Sequence, residues 1–149
     1  MYSMNLVEDD ARIAGIVRGA RRVAVLGIKT AEASDQPAHY VPEYLQKRGV
    51  EIVPIPVYYP EATEILGQPV YRRCAEVPGK VDILDVFRRP KDVEAHLPDI
   101  LAMKPLPGCV WLQLGIRNDR AAEALARAGI LVVQDRCLKV EWARFAGGK

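Results

Sequence analysis

The residues of this 149-residue chain that could do chemistry are mostly cations standing just after apolar runs. Lys29 and Thr30 follow the run at residues 23–26, Tyr58 and Tyr59 follow residues 51–57, and Arg88 and Arg89 follow residues 81–87. Gly115 and Arg117 follow residues 109–114, and Asp135, Arg136 and Lys139 follow residues 130–133. If these runs are parallel strands, their carboxyl ends share the edge where open α/β sheets bind ligands. Six cations would converge there, opposed mainly by Asp135. Arginine's forked donors match phosphate oxygens and Lys29 adds a point charge, so the implied chemistry is recognition of a ligand with several phosphates. Any one of these side chains alone is an ordinary solvated strand end. Their coincidence carries the expectation.

The stretch at residues 21–30, Arg-Arg-Val-Ala-Val-Leu-Gly-Ile-Lys-Thr, sets the frame. A short β-branched run stops at Gly27, a polar loop follows, and Ser34, Asp35, Gln36 and Pro37 open a helix: the first half of a nucleotide-binding βαβ unit. Its glycine permits a tight turn, and the backbone N–H groups after it are expected to face a phosphate. The loop lacks the three glycines of a dinucleotide fingerprint, and no carboxylate ends the second strand, so NAD is disfavoured. No Gly-Lys-Ser/Thr phosphate loop is present, which speaks against ATP or GTP hydrolysis.

Other chemistry is poorly supplied. His39 and His96 are far apart in sequence, and His39 draws attention only because it follows the phosphate loop. Asp82 and Asp85, three apart in one strand, point to opposite faces and cannot pair as acid and base; Asp85, near the carboxyl end, could line the site. Cys137 has basic neighbours that could lower its pKa, or it is a buried inert thiol. Trp111 and Trp142 read as core. Cys74, Cys109 and Cys137 form no CxxC or Cys/His cluster, so neither a disulfide framework nor a metal site is expected, and a cytoplasmic location is. No catalytic residue is assigned.

The elements that must position these groups alternate along the chain. A helix is expected over residues 6–19 from Asn5, Glu8 and the spacing of Leu6, Ile13, Ile16 and Val17. Strands follow at 23–26, 51–57, 81–87, 109–114 and 130–133, with a short one at 70–71. Helices run between them: from Pro37 or Val41 to Gly49, from Pro90 through Met103, and over 119–128 capped by Asn118, with a last one at 138–145. Pro42 and Pro98 sit awkwardly inside two of these. The pattern gives a three-layer, Rossmann-like α/β fold, a mostly parallel sheet with helices on both faces. Half of the residues are hydrophobic and the net charge is +2, a balance that argues against coating nucleic acid. No apolar run approaches the roughly 20 residues that cross a bilayer. Residues 1–10 carry acids and no basic stretch, so no signal peptide is expected, and residues 147–149 read as a loose end.

Five phrases resemble a known family in order. They are Val-Ala-Val-Leu-Gly-Ile (23–28), Leu-Gly-Gln-Pro-Val-Tyr (66–71), Val-Asp-Ile-Leu-Asp-Val-Phe-Arg-Arg (81–89), Val-Trp-Leu-Gln-Leu-Gly-Ile (110–116) and Val-Gln-Asp-Arg-Cys-Leu-Lys (133–139). Together they resemble the small single-domain CoA-binding proteins, often called YccU-like, which are similar to the CoA-binding domain of the succinyl-CoA synthetase α subunit. The resemblance covers about residues 21–145 and implies a single CoA-binding domain, set at residues 21–149; the N-terminal helix read from the residue spacing, in residues 1–20, is expected to pack on it. The resemblance also implies coenzyme A or acyl-CoA as the partner and a non-catalytic role, because the synthetase's phosphorylated histidine belongs to a further domain. Gly27, Ile28, Lys29 and Thr30 would face the pyrophosphate, Val57 and Tyr58 would lie near the adenosine, and Phe87, Arg88 and Arg89 against the nucleotide. Gly115 and Arg136 complete the expected site. Where the synthetase has a lysine after its second strand this chain has Tyr58 and Tyr59, so that phosphate contact falls to Lys29 or the arginines. Three alternatives stay open: an NADP(H)-binding redox or sensor domain, a regulatory or interaction domain related to acyl-CoA ligases, with a protein partner or homo-oligomer, and thiol exchange between Cys137 and CoA.

Overall fold

The computed structural model describes residues 1–146; the loose end expected at 147–149 lies outside them. In chain order the elements are α1 (Asp10–Gly19), β1 (Arg22–Leu26), α2 (Pro37–Gln46), β2 (Glu51–Ile55), β3 (Glu64–Ile65), β4 (Gln68–Pro69), β5 (Ile83–Val86), α3 (Leu97–Leu101), β6 (Cys109–Leu112), α4 (Asp119–Arg127), β7 (Leu131–Val133) and α5 (Leu138–Phe145). The five longer strands form one parallel sheet in the order β2-β1-β5-β6-β7, and β3 pairs antiparallel with β4.

Strand residues alternate between two covered faces, which is why these runs are apolar apart from the leading Arg22 and Glu51 and the buried Asp85. Ala24, Leu26, Leu84, Val86, Val110 and Leu112 pack toward Ile100 of α3 and Leu125 of α4. Val23, Val25, Ile83 and Trp111 pack toward α1, α2 and α5 through Ile13, Val17, Val41, Leu45, Leu138 and Trp142. Each large side chain so buried stabilises the fold by about 1.5–3 kcal/mol relative to exposure. The result is the expected three-layer α/β architecture. From β1 the chain moves outward to β2 on one side and to β5 on the other, so the sheet changes direction between β1 and β5.

Several boundaries differ from the sequence expectation. The first helix starts at Asp10, not Leu6, because Asp9 caps it by accepting from the Arg12 N–H at 3.0 Å. Asn5 instead donates to the Ala126 carbonyl, and Val7 N–H bonds to Val132 O, laying this segment along β7. The strand expected at 70–71 is replaced by the β3–β4 hairpin, and Tyr71 N–H bonds to Pro54 O on the edge strand β2. The helix expected from Pro90 breaks into a 3-10 stretch, Pro90–His96, and the short α3, because Pro98 has no N–H for a continuous ladder and fits only a first turn.

Candidate functional site

Two loops meet at the switch point between β1 and β5. Phe87 N–H bonds to Leu26 O at 2.9 Å and Gly27 N–H to Ile55 O at 2.8 Å, so the backbone passes directly from strand pairing into the loops. Gly27 has φ +88°, and a Cβ there would collide with the Phe87 carbonyl oxygen. The glycine is therefore required by loop-on-loop approach as well as by the left-handed turn.

The loop's next anchor is Lys29, whose N–H bonds to Ala38 O at 3.1 Å. Ala38 O is available because Pro42, four residues on in α2, has no N–H to fill it. The N–H groups of Ile28, Thr30 and Ala38 have no hydrogen-bond partner among the described residues. Ala38 stands in the first turn of α2, whose helix dipole favours an anion. Thus only part of the loop's N–H set is left to meet a phosphate: Gly27 and Lys29 use theirs to hold the loop. The Lys29 ammonium donates to Gln36 Oε1, and the Ile28 side chain is buried in the core. Thr30 Oγ1 donates to Glu32 Oε1 at 3.3 Å.

On the β5 side, Arg88 Nε donates to His96 Nε2 at 3.1 Å, and its Nη2 lies 3.9 Å from Asp92 Oδ2. Arg89 Nε donates to the same Asp92 oxygen at 2.7 Å. The Arg89 hydrogen bond holds the Asp92 carboxyl below its ordinary range. Partial burial, followed by the neighbouring Arg88 charge, lowers the His96 pKa, in keeping with its Nε2 accepting from Arg88. The Arg88 guanidinium lies 5.8 Å from the centre of the Tyr58 ring and pulls that phenol below its usual range.

Lys29, Phe87, Arg88 and Arg89 line one cleft of about 390 Å³ beyond the strand ends. Gln36, Pro37, Ala38 and Tyr40 close its α2 side, and Leu114, Ile116 and Cys137 give it an apolar far end. Gly27 lies under the cleft, and Tyr58, with Val57 before it, flanks the cleft through Arg88. Asp92 and His96, which hold the arginines, were not anticipated as site residues. Asp92 stands three and four residues after the arginines, a spacing that could have revealed it.

Three of the six expected cations are not in this cleft. Arg136 turns to the N-terminal segment, donating to Glu8 O at 2.9 Å and pairing with Asp10 at 3.4 Å and Glu141 at 3.6 Å. Arg117 pairs with Asp119 at 3.2 Å, and Lys139 lies 5.0 Å above the Tyr40 ring. Gly115 is likewise outside the lining: its N–H bonds to Asp135 Oδ1 at 2.7 Å, with φ +86°. Asp85 does not line the cleft either. It is fully buried in the central strand, neither of its oxygens has a partner among the described residues, and burial raises its pKa well above the carboxylate range. Among the described residues no group of three or more His, Cys, Asp or Glu is placed to hold a metal ion, and no helix is long and apolar enough to cross a membrane.

Fold and site together define a doubly wound α/β protein with a cationic cleft at its topological switch point. The chain belongs to the CoA binding domain family, whose model matches residues 21–143. It is 31% identical over 133 residues to protein YneT of Bacillus subtilis (strain 168), covering 89% of this chain and 93% of that one. A solved structure from Thermus thermophilus, cell-free ID.343, is 40% identical with a TM-score of 0.82, covering 93% of this chain and 99% of that chain. A hypothetical protein from Pyrococcus horikoshii OT3 is 26% identical with a TM-score of 0.81, covering 94% of each chain.

Proposed function

We propose that the protein binds coenzyme A or acyl-CoA in the switch-point cleft and catalyses no reaction on it. One observation carries the reading. In a chain of the CoA binding domain family, Lys29, Arg88 and Arg89 share a cleft with Ala38, whose N–H in the first turn of α2 is unpartnered among the described residues, and the unpartnered N–H groups of Ile28 and Thr30 stand on either side of Lys29 in the loop. These donors suit a pyrophosphate and a further phosphate: the N–H groups and the α2 first turn supply directional donors, and the arginines supply forked ones. In this reading Arg88 and Lys29 take phosphate oxygens and Tyr58 flanks the adenosine. The apolar end at Leu114 and Ile116 accommodates the pantetheine arm.

Of the residues expected from sequence, Gly27, Ile28, Lys29, Thr30, Val57, Tyr58, Phe87, Arg88 and Arg89 stay in the proposed site, Ile28 through its backbone. We assign residues 21–149 to the CoA-binding domain and residues 1–20 to an N-terminal element packed on it. The three cysteines are unpaired thiols, which suits the cytoplasmic location we assign.

The test is mass spectrometry of the purified, undenatured protein, followed by calorimetric titration with CoA and with NADPH. Saturable CoA binding is expected. Tight NADPH binding with no CoA binding ends the reading.

A further inference from the structure

A second groove, of about 380 Å³, lies at the other edge of the sheet. Arg21 directly precedes β1 and Val50 directly precedes β2, so this groove opens at the amino ends of the strands. The CoA cleft lies beyond their carboxyl ends, separated by roughly 15 Å of strand.

Its walls carry Arg18, Arg21 and Arg48. Most arginines of the chain stand within 4.0 Å of a carboxylate. Among the described residues Arg12, Arg18, Arg21, Arg48 and Arg72 do not, and three of these five meet in this groove. Their hydrogen bonds use only some of the donors and go to neutral carbonyls: Arg18 Nε to Phe145 O, Arg21 Nη1 to Arg18 O and Ala20 O, and Arg48 Nη1 to Tyr44 O. Asp82 is the nearby acid, but it accepts from the backbone N–H groups of Arg21 and Arg22 at 2.8 and 3.0 Å. The floor is apolar, formed by Val17, Ala20, Val50 and Trp142. Trp142 is only 7% exposed, and its indole N–H makes no hydrogen bond among the described residues.

We infer that this groove binds a small organic anion with an apolar body, such as a medium-chain carboxylate. Two or more guanidinium forks grip the carboxylate head, and the chain lies on the floor between Val50 and Trp142. Forked donors match a carboxylate's two oxygens, and among the described residues no carboxylate lies within 4.0 Å of these three guanidinium groups to occupy them. The apolar floor selects against a bare inorganic anion. The site is independent of the CoA cleft.

The probe is sodium octanoate, titrated into the full chain by calorimetry. Saturable one-site binding is expected, weakened at least tenfold in the Arg21→Gln, Arg48→Gln double variant and unchanged by Arg88→Ala. Inorganic phosphate at the same concentrations should not compete, and saturating CoA should not displace octanoate. A measurement without variants guards against a folding defect. Octanoate should protect Arg21 and Arg48 of the native chain from phenylglyoxal, read by peptide mass spectrometry. Absence of saturable binding, full binding by the folded double variant, displacement by CoA or lack of protection overturns the inference. Apart from displacement by CoA, none of these results bears on CoA binding itself.

Discussion

Arg88 and Arg89 are adjacent in sequence but differ in setting, and the difference predicts unequal effects on CoA affinity. The Arg88 side chain is 15% exposed, lines the cleft, and is fixed by His96 through Nε with its Nη2 3.9 Å from Asp92. The Arg89 side chain is 67% exposed and its Nε is already committed to Asp92. Removing a desolvated charge contact costs about 2–5 kcal/mol. At about 1.4 kcal/mol per tenfold, Arg88→Ala should raise the Kd for CoA by roughly 30- to 4,000-fold. An exposed pair contributes about 1 kcal/mol at most, so Arg89→Ala should cost no more than roughly fivefold. Because both arginines share Asp92, the double variant should not be the sum of the two. Isothermal titration of CoA into each variant, after circular dichroism shows matching folds, measures all three. Equal losses for the two single variants, or no loss for Arg88→Ala, would refute the assignment of Arg88 as the buried phosphate contact.

Other perturbations follow from the same geometry. Gly27→Ala combines a left-handed backbone, about 1–2 kcal/mol, with a collision against Phe87 O, about 1–3 kcal/mol, so thermal denaturation should show a Tm drop of roughly 5–15 °C. A variant as stable as the parent would mean that the two loops do not meet as described. Asp85 has its folded pKa raised by burial, so the unfolded chain releases this proton first and stability falls as pH rises above about 4, by up to about 1.4 kcal/mol per pH unit. Asp85→Asn removes that dependence, and its Tm advantage over the parent should widen between pH 5 and pH 8; a constant difference would count against a buried, protonated Asp85. Arg72 donates to the carbonyls of Tyr58, Tyr59, Pro60 and Ala62, holding the loop that carries Tyr58. Arg72→Ala should therefore weaken CoA several-fold while leaving 4′-phosphopantetheine, which lacks the adenosine, unchanged in a competition titration. Equal weakening of both would show that the loop does not serve the adenosine side.

The strands were legible because a strand covered on both faces is built mostly of apolar residues, and each run at 23–26, 51–55, 83–86 and 109–112 meets glycine, proline or a charged residue at one end at least. Local capping was less legible. Asn118 does accept from Ala121 N–H at 3.0 Å as its position suggests, yet Asn5 reaches 121 residues away to Ala126. A side-chain amide satisfies whichever partner folding brings near, and sequence spacing reports only the local candidates. The same limit governed the site. A cation after a strand reveals which edge it occupies but not which way it turns. Arg136 turned toward Asp10 and Glu141, and Asp10 lies 126 residues away. Arg88 and Arg89 stayed at the cleft because the acid that holds them, Asp92, is only a helical turn further on.

Pro42 shows how an apparent fault in one element can be a fitting in another. Read along the chain, it is a proline in a helix interior, an arrangement that removes a ladder hydrogen bond and costs about 3 kcal/mol. A buried carbonyl without a donor would add to that penalty. In the folded protein the carbonyl left over, that of Ala38, receives the Lys29 N–H from the loop after β1. The helix therefore gives up one internal bond and gains a tether between α2 and the loop at the switch point. That tether places the first turn of α2, with its open Ala38 N–H, beside Lys29 at the mouth of the cleft. The position of a single missing hydrogen thus couples helix, loop and anion-facing donors, a relation that appears only when residues 29, 38 and 42 are seen together.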